Sequence, residues 1–342
     1  MTTDDLEIWT DGALGRIRLN RPRAINALSL GMIEEITAAL EGWRDDPRIG
    51  AVLFDGAGEK GFCSGGDVRA ARAHVVEGRP EGADHYFATE YEMNGIIASY
   101  PKPLVALMHG IVMGGGIGIA GHCGYRIALP DARFAMPESA IGFFADVGVN
   151  AILAKAPLSR ALLFLMSGVS VGASDALALG LADCVVRPEK IERLRADLAT
   201  AAGSSHPADA IVRLMSAESV VAGDAPFCAK ADWLKGNWDS ALSFVTSVHL
   251  EPTLIEVAAL FATRSPGSLT ATFRSQLMAR RLMNVGKTLE MDLRLAKVMA
   301  RRPDFAEGVR AVLVDKDQTP RWSPSMLAEL DDSAIRAAIE GP

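Results

Sequence analysis

The residues best suited to chemistry lie within positions 108–148. Three consecutive glycines, Gly114, Gly115 and Gly116, open a small-residue stretch that reads as a helix. With no Cβ in the way, such a turn lets main-chain N–H groups approach an anionic oxygen closely, and the free amides of the opening helix add partial positive charge. The pattern is that of an oxyanion site. Two carboxylates follow, Glu138 and Asp146, set among Phe134, Met136, Ile141, Phe143 and Phe144. Apolar surroundings disfavour the charged carboxylate and raise its pKa, and carboxyls tuned in this way serve as acids, bases or nucleophiles near neutral pH. An electrophile-stabilising loop and acid–base groups therefore stand close together in the chain.

Stepping outward, the elements that must hold these residues alternate between strand and helix. Residues 6–20 read as a hairpin turning at Asp11-Gly12, and Ser29 caps an amphipathic helix with Met32, Ile33, Ile36, Leu40 and Trp43 at helical spacing. Asp46-Pro47 ends that helix. Residues 51–54 form a short buried strand that enters the glycine-bearing loop GAGEKGFCSGGDVRA; residues 86–99 read as helix, and Pro101 and Pro103 precede an apolar strand at 104–108. Further helices are expected at 159–168 and 174–180, with a strand at 183–186. This repeating grammar predicts an α/β core whose central loops carry a ligand site. Beyond Lys190 the runs 191–202, 238–248, 252–263 and 268–301 read as helix after helix, with breaks at 204–207 and 223–226. The expected organisation is a core of residues 1–190 and a helical region of residues 191–342.

Composition narrows the function classes. A chain of 342 residues with 49% hydrophobic content can bury a sizeable core. A net charge of −7 argues against a nucleic-acid surface and favours a small-molecule ligand. Cys63, Cys123, Cys184 and Cys228 form no C-x-x-C pair, so neither a metal site nor a disulfide framework is expected and a reducing compartment is favoured. The acidic start MTTDDLEIW lacks the apolar core of a signal peptide and the arginines of a transit peptide, no run reaches transmembrane length, and residues 339–342 match no address. A cytoplasmic protein with no membrane partner is the expectation.

Four ordered segments carry a resemblance: NRPRAINALSLGMIEEI at 20–36, KGFCSGGDVRA at 60–70, HGIVMGGGIGIAGHCGYRIA at 109–128 and FAMPESAIGFFADVG at 134–148. Together they resemble the crotonase, or enoyl-CoA hydratase/isomerase, superfamily. Within it the chain is similar to the 3-hydroxyisobutyryl-CoA hydrolase branch, through SPGSLTATFRSQL at 265–277 and DFAEGVRAVLVDKDQTPRW at 304–322. The similarity is weakest between residues 200 and 260. It implies a crotonase-like spiral of ββα units with a helical C-terminal region, and an acyl-CoA substrate whose thioester carbonyl is held by two main-chain N–H groups. The matching donors are Ser64 and Gly115. Glu138 matches the catalytic glutamate, Asp146 the hydrolases' second acidic residue, and Glu90 a substrate-contacting glutamate. For CoA the resemblance implies Arg23 and Ala24 as a main-chain contact region and the loop Gly65, Gly66, Asp67 and Val68 near the adenine end; Lys316, near the tail, reads either as a phosphate contact or as an ordinary solvated charge. It also implies a homo-oligomer of trimer type. CoA is part of the substrate, so no separate metal or redox cofactor is expected.

Gly118 separates the branches. Hydratases of the superfamily carry a glutamate three residues beyond the middle glycine, and together with the second glutamate it positions and splits water; here that place is Gly118. The resemblance therefore implies thioester hydrolysis of a short 3-hydroxyacyl-CoA. An enoyl-CoA hydratase or isomerase using Glu138 alone is the enzymatic alternative. A CoA-ligand or RNA-binding module on a crotonase scaffold is the non-enzymatic one, opposed by intact Glu138 and Asp146 and by the net acidity. The hydrolases' F-P-D-V-G-G-G is replaced by Phe144-Ala145-Asp146-Val147-Gly148-Val149-Asn150, which leaves the acyl group open. Each acidic residue also has an ordinary reading: Glu138 as a solvated charge, Asp146 as an N-cap for the segment starting at Val147, and Glu90 as one charge on an amphipathic helix. Cys63, with His109 or His122 as base, is an alternative nucleophile, and a buried structural thiol is its favoured reading.

Overall fold

The hairpin foreseen near the N-terminus forms. β1 (Leu6–Asp11) pairs antiparallel with β2 (Leu14–Leu19), and Gly12 takes the left-handed φ of 59° that this turn requires. The computed structural model describes residues 4–221 and 223–341. Further along come β3 (Ala51–Gly56), β4 (Gly61–Cys63), β5 (Leu104–Met108), β6 (Ile111–Met113), β7 (Tyr125–Ala128), β8 (Arg133–Ala135), β9 (Val171–Gly172) and β10 (Cys184–Val185). From β3 to β8 successive strands alternate between two sheets, of order β1-β2-β3-β5-β7-β10 and β4-β6-β8-β9. Each circuit lays one strand in each sheet and returns through helix, which is the expected ββα spiral. The pairs β2/β3, β3/β5, β5/β7 and β7/β10 are parallel. A parallel strand covered on both faces needs a continuous apolar run, and Leu104–Met108 is buried throughout.

The helices follow the sequence signals with instructive differences. Ser29 Oγ accepts the Met32 N–H at 3.3 Å, and Leu30–Arg44 buries Met32, Ile33, Ile36 and Leu40. The helix expected at 86–99 runs Pro80–Ala98, because proline is tolerated in a first turn whose N–H has no acceptor anyway. The run 268–301 is two helices, Pro266–Leu282 and Val285–Ala300. Met283 turns left-handed between them at φ 44°, and Asn284 caps the second by accepting the Lys287 N–H at 2.9 Å. Asn284 is a cap signal that helical periodicity concealed.

Tertiary contacts group the chain into two interleaved units. One comprises Met1–Gly66, Glu92–Phe134 and Val171–Ala225; the other comprises Asp67–Tyr91, Ala135–Ser170 and Pro226–Pro342. The strands end at β10 among the described residues, as the sequence suggests, but a compact unit does not end there. Helices Ile191–Ala202 and Pro207–Glu218 belong to the first unit, where Leu194, Leu198, Ile211 and Met215 pack with Leu14, Leu53, Val105 and Ile127. A sheet face that apolar must be covered, and these helices cover it. Also in the first unit, Asp55 is buried at 2% exposure between Arg16 at 2.8 Å, Arg18 at 2.8 Å and Arg195 at 3.3 Å.

The second unit has its own core of Leu162, Leu163, Met166, Phe244, Val248, Leu254, Phe261, Leu269 and Phe273. Among the described residues no single helix is long and apolar enough to cross a membrane. One pair bent by 100°, Ala241–Leu250 with Pro252–Phe261, reaches that length and composition together, and its Phe244, Val248, Leu254 and Phe261 are spent on this core.

Candidate active site

In the first unit, β4 and β6 each end in a glycine loop. β6 leads to Gly114, whose φ of 48° and ψ of −121° deliver the chain to the helix Gly115–His122. The first intrahelical bond is Gly118 N–H to Gly114 O at 3.0 Å, so the Gly115 amide opens the helix with no acceptor behind it. β4 leads through Cys63 to Gly65, where an added Cβ would lie 3.7 Å from the Gly115 nitrogen. The two glycine loops are thus neighbours. Gly118 is buried and contributes no side chain.

Ser64 requires a correction. Its N–H donates to the Ile25 carbonyl at 2.9 Å and its hydroxyl to the Ala24 carbonyl at 3.1 Å, so this amide is already committed to main chain. The amide of Gly66, two residues on, has no acceptor among the described residues. Of these two amides it is Gly66, a residue the sequence assigned to CoA, and not Ser64 that is left able to donate to a ligand. Arg23 and Ala24 are exposed on the turn Pro22–Ala24, which the Ser64 hydroxyl ties to the glycine loop. Gly65 is buried and Gly66, Asp67 and Val68 are half-buried; the Asp67 N–H donates to the Tyr86 hydroxyl at 3.2 Å, and Val68 begins the helix Val68–Val76.

The carboxylates gather in the second unit. Glu138 sits on the short 3-10 turn Pro137–Ile141 at 7% exposure, its Oε2 without a hydrogen-bond partner among the described residues. Gly142 closes that turn at φ 73°, and a Cβ there would fall 2.0 Å from the Asp304 carbonyl oxygen, so only glycine fits. Asp146 is 5% exposed and accepts the Tyr91 hydroxyl at 2.6 Å. Glu90 precedes Tyr91 on the helix Pro80–Ala98 and is 3% exposed. Asp292, from Val285–Ala300, is fully buried and accepts the Gly148 N–H at 2.8 Å. Aromatic rings supply the apolar surroundings: Phe87 stacks on Phe143 at 4.8 Å, and Phe143 lies 4.9 Å from Phe144 and 5.4 Å from Phe305.

Burial sets the protonation of this group. It pushes Glu90 and Glu138 well above the usual carboxylate range, and the charge of Asp146 pushes both further. Burial also raises Asp146 to about 7, against the opposing hydrogen bond from Tyr91. Asp292 is raised well above its ordinary value by burial, as is the Tyr91 phenol. Burial and the neighbouring charge thus both oppose ionisation of Glu90 and Glu138.

The ordinary readings of the acidic residues fail on burial and geometry. Glu138 and Glu90 are not solvated charges. Asp146 does not cap a helix, because the N-cap of Val149–Leu153 is Gly148 and the Asp146 side chain is turned to Tyr91. Cys63 is fully buried with its thiol donating to the Asn26 carbonyl at 3.1 Å, while the half-buried His109 ring lies 2.8 Å from the Gly58 carbonyl. Lys316 is exposed. Sequence reading missed Tyr91 and Asp292. Both carry a visible signal: Tyr91 lies in the stripe Ala83, Tyr86, Phe87, Glu90, and Asp292 interrupts the apolar stripe of Leu289, Leu295, Ala296 and Met299.

The chain matches the family model described as enoyl-CoA hydratase/isomerase over residues 14–339. It belongs to the enoyl-CoA hydratase/isomerase family. Members with a similar sequence include the mitochondrial 3-hydroxyisobutyryl-CoA hydrolase of Xenopus tropicalis, 38% identical over 95% of this chain and 86% of that protein. The mitochondrial 3-hydroxyisobutyryl-CoA hydrolase of Homo sapiens is 36% identical over 95% of this chain and 85% of its own length. Among solved family structures, a carnitinyl-CoA dehydratase from Mycobacterium thermoresistibile superposes with a TM-score of 0.90 at 32% identity, covering 99% of this chain and 97% of that one. An enoyl-CoA hydratase from Rhodobacter sphaeroides 2.4.1 superposes with a TM-score of 0.89 at 30% identity over the same shares. These likenesses extend through the C-terminal helices as well as the spiral, and they establish the crotonase-like fold expected from the sequence.

Proposed function

We propose that this protein hydrolyses the thioester of a short 3-hydroxyacyl-CoA, foremost 3-hydroxyisobutyryl-CoA, releasing CoA and the free hydroxy acid in valine breakdown. The observation that carries this reading is the buried group of Glu138, Asp146 and Glu90, combined with Gly118 where paired-glutamate hydration needs a carboxylate. Relatives named as 3-hydroxyisobutyryl-CoA hydrolases support it over nearly the whole chain.

Attack on a thioester carbonyl moves negative charge onto its oxygen. The amides of Gly115 and Gly66 are assigned to receive it, each such donor being worth about 3 kcal/mol when aimed at the developing oxyanion. Glu138 acts on the carbonyl carbon. It does so either as nucleophile, giving an anhydride that water then opens, or as the base that takes a proton from attacking water. In both routes the C–S bond breaks and sulfur leaves to become the CoA thiol. Asp146, oriented by Tyr91, and Glu90 are assigned to the substrate hydroxyl and to water. Arg23, Ala24, Gly65, Asp67 and Val68 are assigned to CoA, with no metal or redox cofactor in the scheme. A trimer-type homo-oligomer and a cytoplasmic location belong to the same proposal; the relatives' names specify mitochondria.

The solved neighbours titled dehydratase and hydratase favour a second reading, addition or removal of water at an enoyl-CoA double bond. One experiment separates the two. Thiol release and enoyl hydration are measured in parallel on 3-hydroxyisobutyryl-CoA, 3-hydroxypropionyl-CoA and crotonyl-CoA. CoA should be released from the hydroxyacyl thioesters far faster than crotonyl-CoA is hydrated; efficient hydration without thiol release overturns the hydrolase reading.

A further inference from the structure

The loop that carries Asp146 is held in a conformation its sequence does not favour. Val147 has φ 52° and Gly148 has φ 71°. A left-handed backbone suits glycine but strains a β-branched residue, and it persists only where surrounding structure enforces it. Three buried hydrogen bonds do so here. The Ala145 N–H donates to Thr272 Oγ1 at 3.2 Å, Asn150 Nδ2 donates to the Ala145 carbonyl at 2.6 Å, and the Gly148 N–H donates to Asp292 Oδ2 at 2.8 Å. The last acts on the left-handed turn from a distant part of the chain, its acceptor 144 positions away in sequence, and adds to the turn's own bond from the Val149 N–H to the Asp146 carbonyl at 3.1 Å.

Asp292 is also an expensive residue to keep where it is. It is fully buried, its Oδ1 has no partner among the described residues, and it sits in the otherwise apolar stripe of a helix. A buried acid that spends one oxygen on a single backbone amide needs a reason. The left-handed turn beside Asp146 supplies it.

We propose that Asp292 is a positioning residue for the reaction: by accepting the Gly148 N–H it enforces the left-handed turn at Val147-Gly148, and so fixes the direction in which Asp146 meets Tyr91 and the substrate. Asp292 does not touch substrate. Its effect passes through the backbone of residues 146–148. The inference rests on the hydrolase reading only for the choice of reaction to be measured.

The test uses Asp292→Ala, which removes the acceptor, Asp292→Asn, whose amide oxygen keeps it, and Asp292→Leu, which removes it while filling the space. Steady-state thiol release is measured together with the Kd for free CoA. The ring carbon bearing the Tyr91 hydroxyl is followed by carbon-13 resonance, assigned with Tyr91→Phe. Asp292→Ala should lower kcat by about 10- to 100-fold with CoA affinity within about two-fold, and should shift the Tyr91 resonance toward its position in Asp146→Ala. Asp292→Asn should restore kcat to within about five-fold of wild type and return the resonance. Asp292→Leu takes the place of the alanine variant if that variant does not fold. An unchanged kcat and Tyr91 resonance in the acceptor-less variants would overturn the proposal, as would an asparagine variant as impaired as alanine or a loss of CoA affinity in step with kcat. Wild-type protein that releases no thiol from any acyl-CoA of the panel defeats the hydrolase reading instead. In that case the Tyr91 resonance still decides the role of Asp292.

Discussion

Glu138→Gln keeps the shape of the side chain proposed to act on the thioester but not its basicity or nucleophilicity. It should cost on the order of 10² to 10⁴ in kcat with little change in CoA affinity. Cys63→Ala should leave kcat nearly intact, since that thiol is buried against the Asn26 carbonyl. An inactive Cys63→Ala beside an active Glu138→Gln, both folded and both binding CoA, would replace the carboxylate by a thiol nucleophile. Asp146 makes a separate prediction through stability. Its carboxyl is raised by burial to about 7, whereas in the unfolded chain it titrates near its ordinary value of about 4. Between those values the folded state holds a proton that the unfolded state has released. The stability this gives is fully present below the unfolded value and is lost as pH rises through about 7. Asp146→Asn should therefore raise Tm more at pH 8 than at pH 5, while slowing turnover of a 3-hydroxyacyl substrate. Equal Tm changes at both pH values would show that Asp146 is not held protonated in the free protein. The burial of Glu138 and Asp146 was legible because they are acids in apolar sequence. The Ser64 amide was not, because whether an N–H is free depends on where Ile25 lies.

At the scale of elements, the altered loop and the buried ion cluster make opposite kinds of claim. Val149 is fully buried and Asn150 ties back to Ala145, so the side chains that replace glycines are packed into the second unit. Val149→Gly with Asn150→Gly should change the ranking of acyl groups in the thiol-release assay, a misfit of one methylene being worth about 1–3 kcal/mol. An unchanged ranking would assign selection to some other element. In the first unit, Asp55→Ala leaves Arg16 buried beside Arg18 and Arg195 with no carboxylate between them. The loss should be about 3 kcal/mol in urea unfolding, and a change below about 1 kcal/mol would mean that water reaches the guanidinium groups. The hairpin, the Ser29 cap and the strand Leu104–Met108 were legible because each is set by neighbours in sequence. The break at Met283-Asn284 was missed because an apolar period runs through it and the cap bond spans only three residues.

For the whole molecule, the change at residue 190 from strands to helices suggests a cut that the contacts do not support. A fragment of residues 1–190 lacks Leu194, Leu198, Ile211 and Met215, which cover Leu14, Leu53, Val105 and Ile127. Such a fragment should expose an apolar sheet face and be insoluble, or melt without a cooperative transition in calorimetry. A soluble, cooperatively melting fragment would restore the boundary at 190. Neither unit is a continuous stretch of chain, so neither can be excised by truncation at one point.

The sequence by itself determined the α/β spiral, the helical C-terminal region, the family, the glycine loop at Gly114 to Gly116, and Glu138 and Asp146 as the acids to watch. The spiral and the family rest on the resemblance carried by four ordered segments; the rest is local pattern, namely apolar runs, glycines at turns, caps, and carboxyls in apolar stretches. Tertiary structure alone decided which amides are committed to main chain, that the Tyr91 hydroxyl donates to Asp146, that Asp292 accepts the Gly148 N–H from 144 positions away, and which helices complete which core. Each of these depends on groups distant in the chain becoming neighbours, and burial then sets the protonation of acids whose own sequence neighbourhoods do not distinguish them.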